Sequence, residues 1–106
     1  MQEDIVFLES EKALTARLLC EIDHHSARLL RERIDSLLFE KKPEQLVLDF
    51  SGVRFMDSSG LGLILGRVEA MRALGGSVRL VGLSEPLLKL LRLSGVDRVK
   101  NLSIGT

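Results

Sequence analysis

Five short β-favouring runs, separated by a turn or by stretches of helical periodicity, constrain the folds open to this chain more than any other feature. The first two, "DIVFLE" at 4–9 and "ALTARLLC" at 13–20, flank the polar "SEK" and predict an antiparallel hairpin. In the second, Leu14, Ala16, Leu18 and Cys20 share one face, with Thr15, Arg17 and Leu19 on the other. The later runs, "QLVLDF" (45–50), "SVRLVGL" (77–83) and "DRVKNL" (97–102), alternate with helical segments. The order β-β-α-β-α-β-α-β implies a mostly parallel sheet with right-handed crossovers and an antiparallel N-terminal edge. The expected fold class is α/β, a single domain over 1–106 with three or four helices. No internal repeat, linker or low-complexity tract interrupts it.

The helical segments carry their own punctuation. Asp23 is a good N-cap for "HHSARLLRERIDSLLFEKK". Ala27, Leu30, Ile34, Leu37 and Leu38 recur there on one face, with Arg28, Arg31, Glu32 and Asp35 expected in solvent between them. Lys41, Lys42 and Pro43 end it. "QLVLDF" is mostly apolar and predicts a strand covered on both faces. The spacing then predicts a helix over 59–74, closed by Gly75-Gly76, and a shorter one after Ser84, with Pro86 in its first turn and Gly95 past its end.

On a helical wheel of 59–74, Leu61, Ile64, Leu65, Val68 and Met71 form the expected core face. Leu63, Ala70 and Leu74 fall opposite it, and Gly62, Gly66 and Ala73 make a nearly bare arc. Each helical glycine costs roughly 0.5–1 kcal/mol relative to alanine. Either a neighbouring helix packs closely there, or a partner's backbone approaches from outside.

Charge and composition remove several function classes. Lys+Arg and Asp+Glu balance at 15 each, which argues against a general nucleic-acid or anionic-membrane surface. With four Phe and neither Tyr nor Trp, stacking pockets for bases or sugars are disfavoured. One cysteine, Cys20, cannot form an internal disulfide and reads as a small buried hydrophobe near a strand end. With only His24 and His25 beside it, it makes no metal pattern, and no cofactor motif is present. No signal peptide or membrane-length apolar stretch is found, so the expectation is a cytoplasmic, soluble protein.

The segment "FMDSSGLGLILGR" at 55–67 carries the chemistry. Ser58 or Ser59 as a helix cap is worth about 1 kcal/mol and explains one hydroxyl. A nucleophile is poorly supported, because "DSSGLG" is not GxSxG and no orienting residue accompanies His24 or His25. Modification has a clear physical basis: a phosphate on Ser58 is tolerated at a helix N-terminus. It would add about 1.5–2 negative charges beside Asp57.

"LVLDFSGVRFMDSSGLGLILG", preceded by "EIDHHSA" and followed by "GGSVRLVGLSEPLLKLLRLSGV", resembles the STAS domain of bacterial anti-sigma factor antagonists. "DHHSA" with "FMDSSGLGLILGR" is most similar to the sporulation antagonists that act on the anti-sigma-F factor, with general stress-response antagonists next. The resemblance covers nearly the whole chain. It implies binding to an ATP-bound anti-sigma factor that is also a serine kinase, which frees the sigma factor. Phosphorylation of Ser58 by that kinase would inactivate the antagonist, and a PP2C-type phosphatase would restore it. Such a chain is a substrate rather than an enzyme, and its role needs only a monomer.

By the same resemblance Asp57 and Ser59 would shape the serine's loop. Asp23 would meet a basic residue of the kinase, and Gly60, Leu61 and Gly62 would form the turn the partner covers. Two departures stand out. Cys20 occupies a position where the family usually has glycine. The chain also ends at Thr106, where many relatives carry a further helix, so part of the sheet's cover or a peripheral contact is expected to be missing. STAS-like domains also occur as small-molecule sensors and on transporters; that reading comes second, and a serine hydrolase third.

Overall fold

Leu14, Ala16 and Leu18, Leu46 and Leu48, and Val78 and Leu80 are all buried, while the residues between them on each strand are partly or fully exposed. That alternation marks a sheet with one covered face. The computed structural model describes residues 3–105. Its strands are β1 (Ile5–Glu9), β2 (Ala13–Leu18), β3 (Gln45–Asp49), β4 (Ser77–Val81) and β5 (Leu102–Ile104). Its helices are α1 (His24–Lys41), α2 (Ser58–Ala73) and α3 (Glu85–Ser94).

The strands lie side by side in chain order, β1-β2-β3-β4-β5. The hairpin is antiparallel, with Ile5 opposite Leu18 and Glu9 opposite Leu14, and the other pairings are parallel. Each parallel strand is added on the same side of its predecessor. Right-handed crossovers then deliver α1, α2 and α3 to one face. This corrects the expectation for "QLVLDF": its other face carries Gln45, Val47 and Asp49, all half-buried. Arg17 on β2 reaches across that face to Asp49, Nε to Oδ2 at 3.2 Å.

The last strand also lies later than expected. Gly95, at φ +82°, turns the chain out of α3 into a single 3-10 turn at Val96–Arg98. Asn101, at φ +68°, prevents an extended run through 97–102. Pairing begins only at Leu102, opposite Val78.

On α1, Leu30, Ile34 and Leu38 enter the core as the periodicity requires, with Ala27 and Leu37 packed beside them. On α2 the helix is rotated toward α1 relative to expectation. Leu63, Ile64, Arg67, Val68 and Met71 are buried, whereas Leu65 is exposed and Leu61 half-buried. The same rotation brings in Arg67, a charged residue at a core-facing position. Its Nε lies 2.9 Å from Asp35 Oδ1 on α1, so Asp35, whose side chain is still 43% exposed, also serves as a partner across the helix interface. Leu48→Ala is expected to lower the unfolding free energy by about 2–5 kcal/mol in urea titrations, as buried leucines do. Val47→Ala, on the uncovered face, should cost well under half as much; equal losses would contradict a one-sided sheet.

Candidate functional site

Beyond the carboxyl ends of β2 and β3 the backbone makes one more connection, an isolated parallel bridge between Ile22 and Met56. Ile22 N–H donates to the Phe55 carbonyl at 3.0 Å, and Asp57 N–H donates to the Ile22 carbonyl at 3.1 Å. Both bridge residues are buried. The residue after each is an aspartate, and each aspartate is the N-cap of a helix. The start of α1 and the start of α2 are thereby held side by side.

The two caps differ in construction. Asp23 Oδ1 accepts from Ser26 N–H at 2.9 Å, while Ser26 Oγ accepts from Asp23 N–H at 3.0 Å. This is a reciprocal capping box. Ser26 Oγ also donates to the Glu21 carbonyl at 2.8 Å. The N–H donated by Ser26 holds the Asp23 carboxyl below its ordinary value. Asp57 Oδ1 accepts from Ser59 N–H at 2.7 Å. The cap of α2 is therefore Asp57, and the expectation that Ser58 or Ser59 fills that role is corrected. A carboxylate outcompetes a hydroxyl at a helix N-terminus because it also answers the dipole.

With capping assigned to Asp57, both serine hydroxyls are released from structural duty. Ser58 is the first residue of α2 and exposed, and Ser59 is half-buried beside it. Neither hydroxyl makes a hydrogen bond among the described residues.

Gly60 is buried, and a Cβ there would overlap the Met56 side chain. Its lack of a side chain serves the bridge from inside, so it adds little to an outer surface. Gly62 is exposed and Gly66 half-buried, and a Cβ at either would meet nothing within 4 Å. The idea of a neighbouring helix packed closely against that arc is thereby overturned. Leu63, placed opposite the core by the wheel, faces the core.

Two features escaped the sequence. Phe55, one residue before the bridge, is 54% exposed; an aromatic inside the polar loop "SGVRFMD" was the available signal. A groove of about 300 Å³ between α1 and α2 is lined by His24, Arg28, Arg31, Ser59, Gly62 and Leu63, among others. Nothing local in sequence announces it, because it depends on the bridge. His24 and His25 are exposed in the first turn of α1. Cys20 is only partly buried, with its thiol pushed up chiefly by burial. Among the described residues no cluster of His, Cys, Asp or Glu is arranged to hold a metal.

The STAS domain family model matches residues 4–103. The chain belongs to the STAS family. This STAS chain is 36% identical over 86 residues to the anti-sigma F factor antagonist of Paenibacillus polymyxa, an alignment spanning 81% of this chain and 74% of that protein. The solved structure of the anti-sigma factor antagonist SpoIIAA in its unphosphorylated form is similar at a TM-score of 0.81 and 28% identity. That match covers 96% of this chain and 88% of the other. The Bacillus cell fate determinant SpoIIAA in the phosphorylated form is similar at a TM-score of 0.73 and 28% identity, covering 96% and 91%.

Two measurements test this geometry. Gly60→Ala should destabilise by roughly 1–3 kcal/mol through displacement of Met56. Gly62→Ala, facing open space, should stabilise by about 0.5–1 kcal/mol. Urea titrations that give both substitutions the same sign would refute the assignment of the two glycines.

The Asp23 cap has a pH signature. Its folded carboxyl is depressed, so its contribution is complete above the unfolded carboxylate value of about 3.9. It is lost as pH falls through the lower folded value. Urea midpoints followed below pH 5 should show an acid-limb component in the wild type that Asp23→Asn lacks.

Proposed function

We propose that this STAS chain is the phosphorylation-controlled member of a partner switch that regulates a sporulation-type sigma factor in the cytoplasm. In its unmodified form it docks on an anti-sigma factor that is also a serine kinase, occupied by ATP, and displaces the sigma factor. The kinase transfers a phosphoryl group to Ser58, and a PP2C-type phosphatase removes it. The observation that carries this reading is the exposed Ser58 hydroxyl at the first position of α2, free of any capping role because Asp57 supplies it.

The surroundings support a docking surface. Asp23 is exposed next to Asp57 across the Ile22–Met56 bridge and offers a carboxylate to a basic group of the kinase. Asp57 and Ser59 fix the direction of the Ser58 backbone. Leu61 and Gly62 continue the face, and the bare arc at Gly62 and Gly66 lets a partner backbone approach α2 closely. Gly60 contributes indirectly, by making room for Met56. Phe55 and Leu65 add exposed apolar surface on the same segment.

The switch works by charge. A phosphate at Ser58 adds about 1.5–2 negative charges next to two existing carboxylates. Like-charge juxtaposition and desolvation across an interface cost several kcal/mol, which lowers affinity by a hundredfold or more. The core need not move, because Ser58 is exposed and its hydroxyl makes no hydrogen bond among the described residues that the phosphate would break.

The test combines intact mass and affinity. Incubation with ATP and the cognate anti-sigma kinase should add one phosphate, mapped to Ser58. Ser58→Ala should bind that kinase as the wild type does and remain unmodified, whereas Ser58→Asp should bind at least about tenfold more weakly. Equal affinities of the two variants would defeat the proposal.

A further inference from the structure

We propose that the groove between α1 and α2 receives a carboxylate side chain of the docking partner, paired with the exposed Arg31. This rests on the partner-docking reading above and specifies the chemistry that the partner must bring to it. Arg31 lines the groove beside Ser59 and Gly62, and it also lines an adjoining depression of about 710 Å³. That depression is bounded by Glu32, Asp35, Ser36, Phe39 and Arg67. The two share Arg31, and together they are called the channel.

Arg67 is 5% exposed, yet its donors are poorly answered. Nε lies 2.9 Å from Asp35 Oδ1, but the two are not aligned as a hydrogen bond, and Nη1 has no acceptor among the described residues. A guanidinium carries five N–H donors, and leaving them unmet in the interior is costly. Burial, opposed by Asp35 and reinforced by the nearby Arg31 charge, weakens Arg67's hold on its proton. Arg28 is answered by Glu32 at 3.5 Å, and Arg67 by Asp35. Arg31 is exposed and has no ion pair among the described residues. The channel thus holds one cation in excess, the exposed Arg31, while the unmet Nε and Nη1 of Arg67 lie beneath its floor, closed to a partner.

A carboxylate matches this inventory. Its two coplanar oxygens fit the guanidinium fork. Its single charge balances the one excess cation, whereas a phosphate dianion would leave a net negative charge in the channel. A protein segment is favoured over a free metabolite because the channel is an open trough. It begins beside Gly62, where a backbone can approach, and ends at Phe39, which is 81% exposed. The partner segment would place an acidic residue over Arg31 and an apolar one toward Phe39.

The experiment measures affinity for the cognate anti-sigma kinase with wild type, Arg31→Glu and Arg33→Glu. Arg33 lies on the same helix but points elsewhere, over the Phe7 ring at 5.8 Å, so its reversal changes net charge equally away from the channel. Arg31→Glu should weaken binding by about tenfold or more, with Arg33→Glu within about threefold of wild type. One acid-to-lysine substitution in the kinase should restore binding of Arg31→Glu while weakening that of wild type. Normal binding by Arg31→Glu, or equal losses in both variants, overturns the channel assignment and leaves the functional reading standing. A wild type that fails to bind overturns the functional reading, and this inference with it.

Discussion

Two backbone hydrogen bonds, from Ile22 N–H to the Phe55 carbonyl and from Asp57 N–H to the Ile22 carbonyl, hold together what the rest of the molecule presents. They extend the parallel β2–β3 pairing past the ends of those strands, after a gap, by one bridge. Two helix starts are thereby forced into contact with their positive dipole ends together, an arrangement that opposes itself electrostatically. Asp23 and Asp57 offset that opposition, each by accepting from its own helix. The acidic character of this corner is thus a requirement of its geometry before it is a recognition feature. The location also agrees with the general rule that sites in parallel sheets form beyond the carboxyl ends of strands.

Most of the scaffold was legible because its signals are local. The hairpin, the order of strands and helices, the Asp23 cap and the glycine stops were each written within a few residues of where they act. The rotation of α2 was not, because a wheel built on hydrophobicity assigns an arginine to solvent. Only a partner acid on another helix, Asp35, permits Arg67 to turn inward. The one-sided sheet was missed for a related reason. A run such as "QLVLDF" reports that a strand is apolar, but whether one face or two are covered follows from the direction in which successive strands are added.

At the site itself, the sequence pointed to Ser58 and to its acidic neighbours but misassigned the cap. The difference matters chemically. A serine that caps its helix spends its hydroxyl oxygen on backbone donors, and modifying it would cost the helix its start. Asp57 removes that conflict, so chemistry at Ser58 and integrity of α2 are independent. Gly60 and Gly62 look alike in the string "GLG", yet one makes space for Met56 within and the other faces open space. Spacing alone could not separate them.

The glycines of α2 have one more effect. Outside the folded molecule a segment with three glycines in its first nine residues, Gly60, Gly62 and Gly66, has little tendency to coil into a helix. Its helical form is lent to it by the sheet and by α1. A chain that has lost its tertiary order would therefore show the serine on a shapeless strand, without the neighbouring carboxylate from the other helix. Under the proposed function, an enzyme that requires the rigid display would act on intact copies and pass over damaged ones, so a phosphate there would double as a record of sound folding.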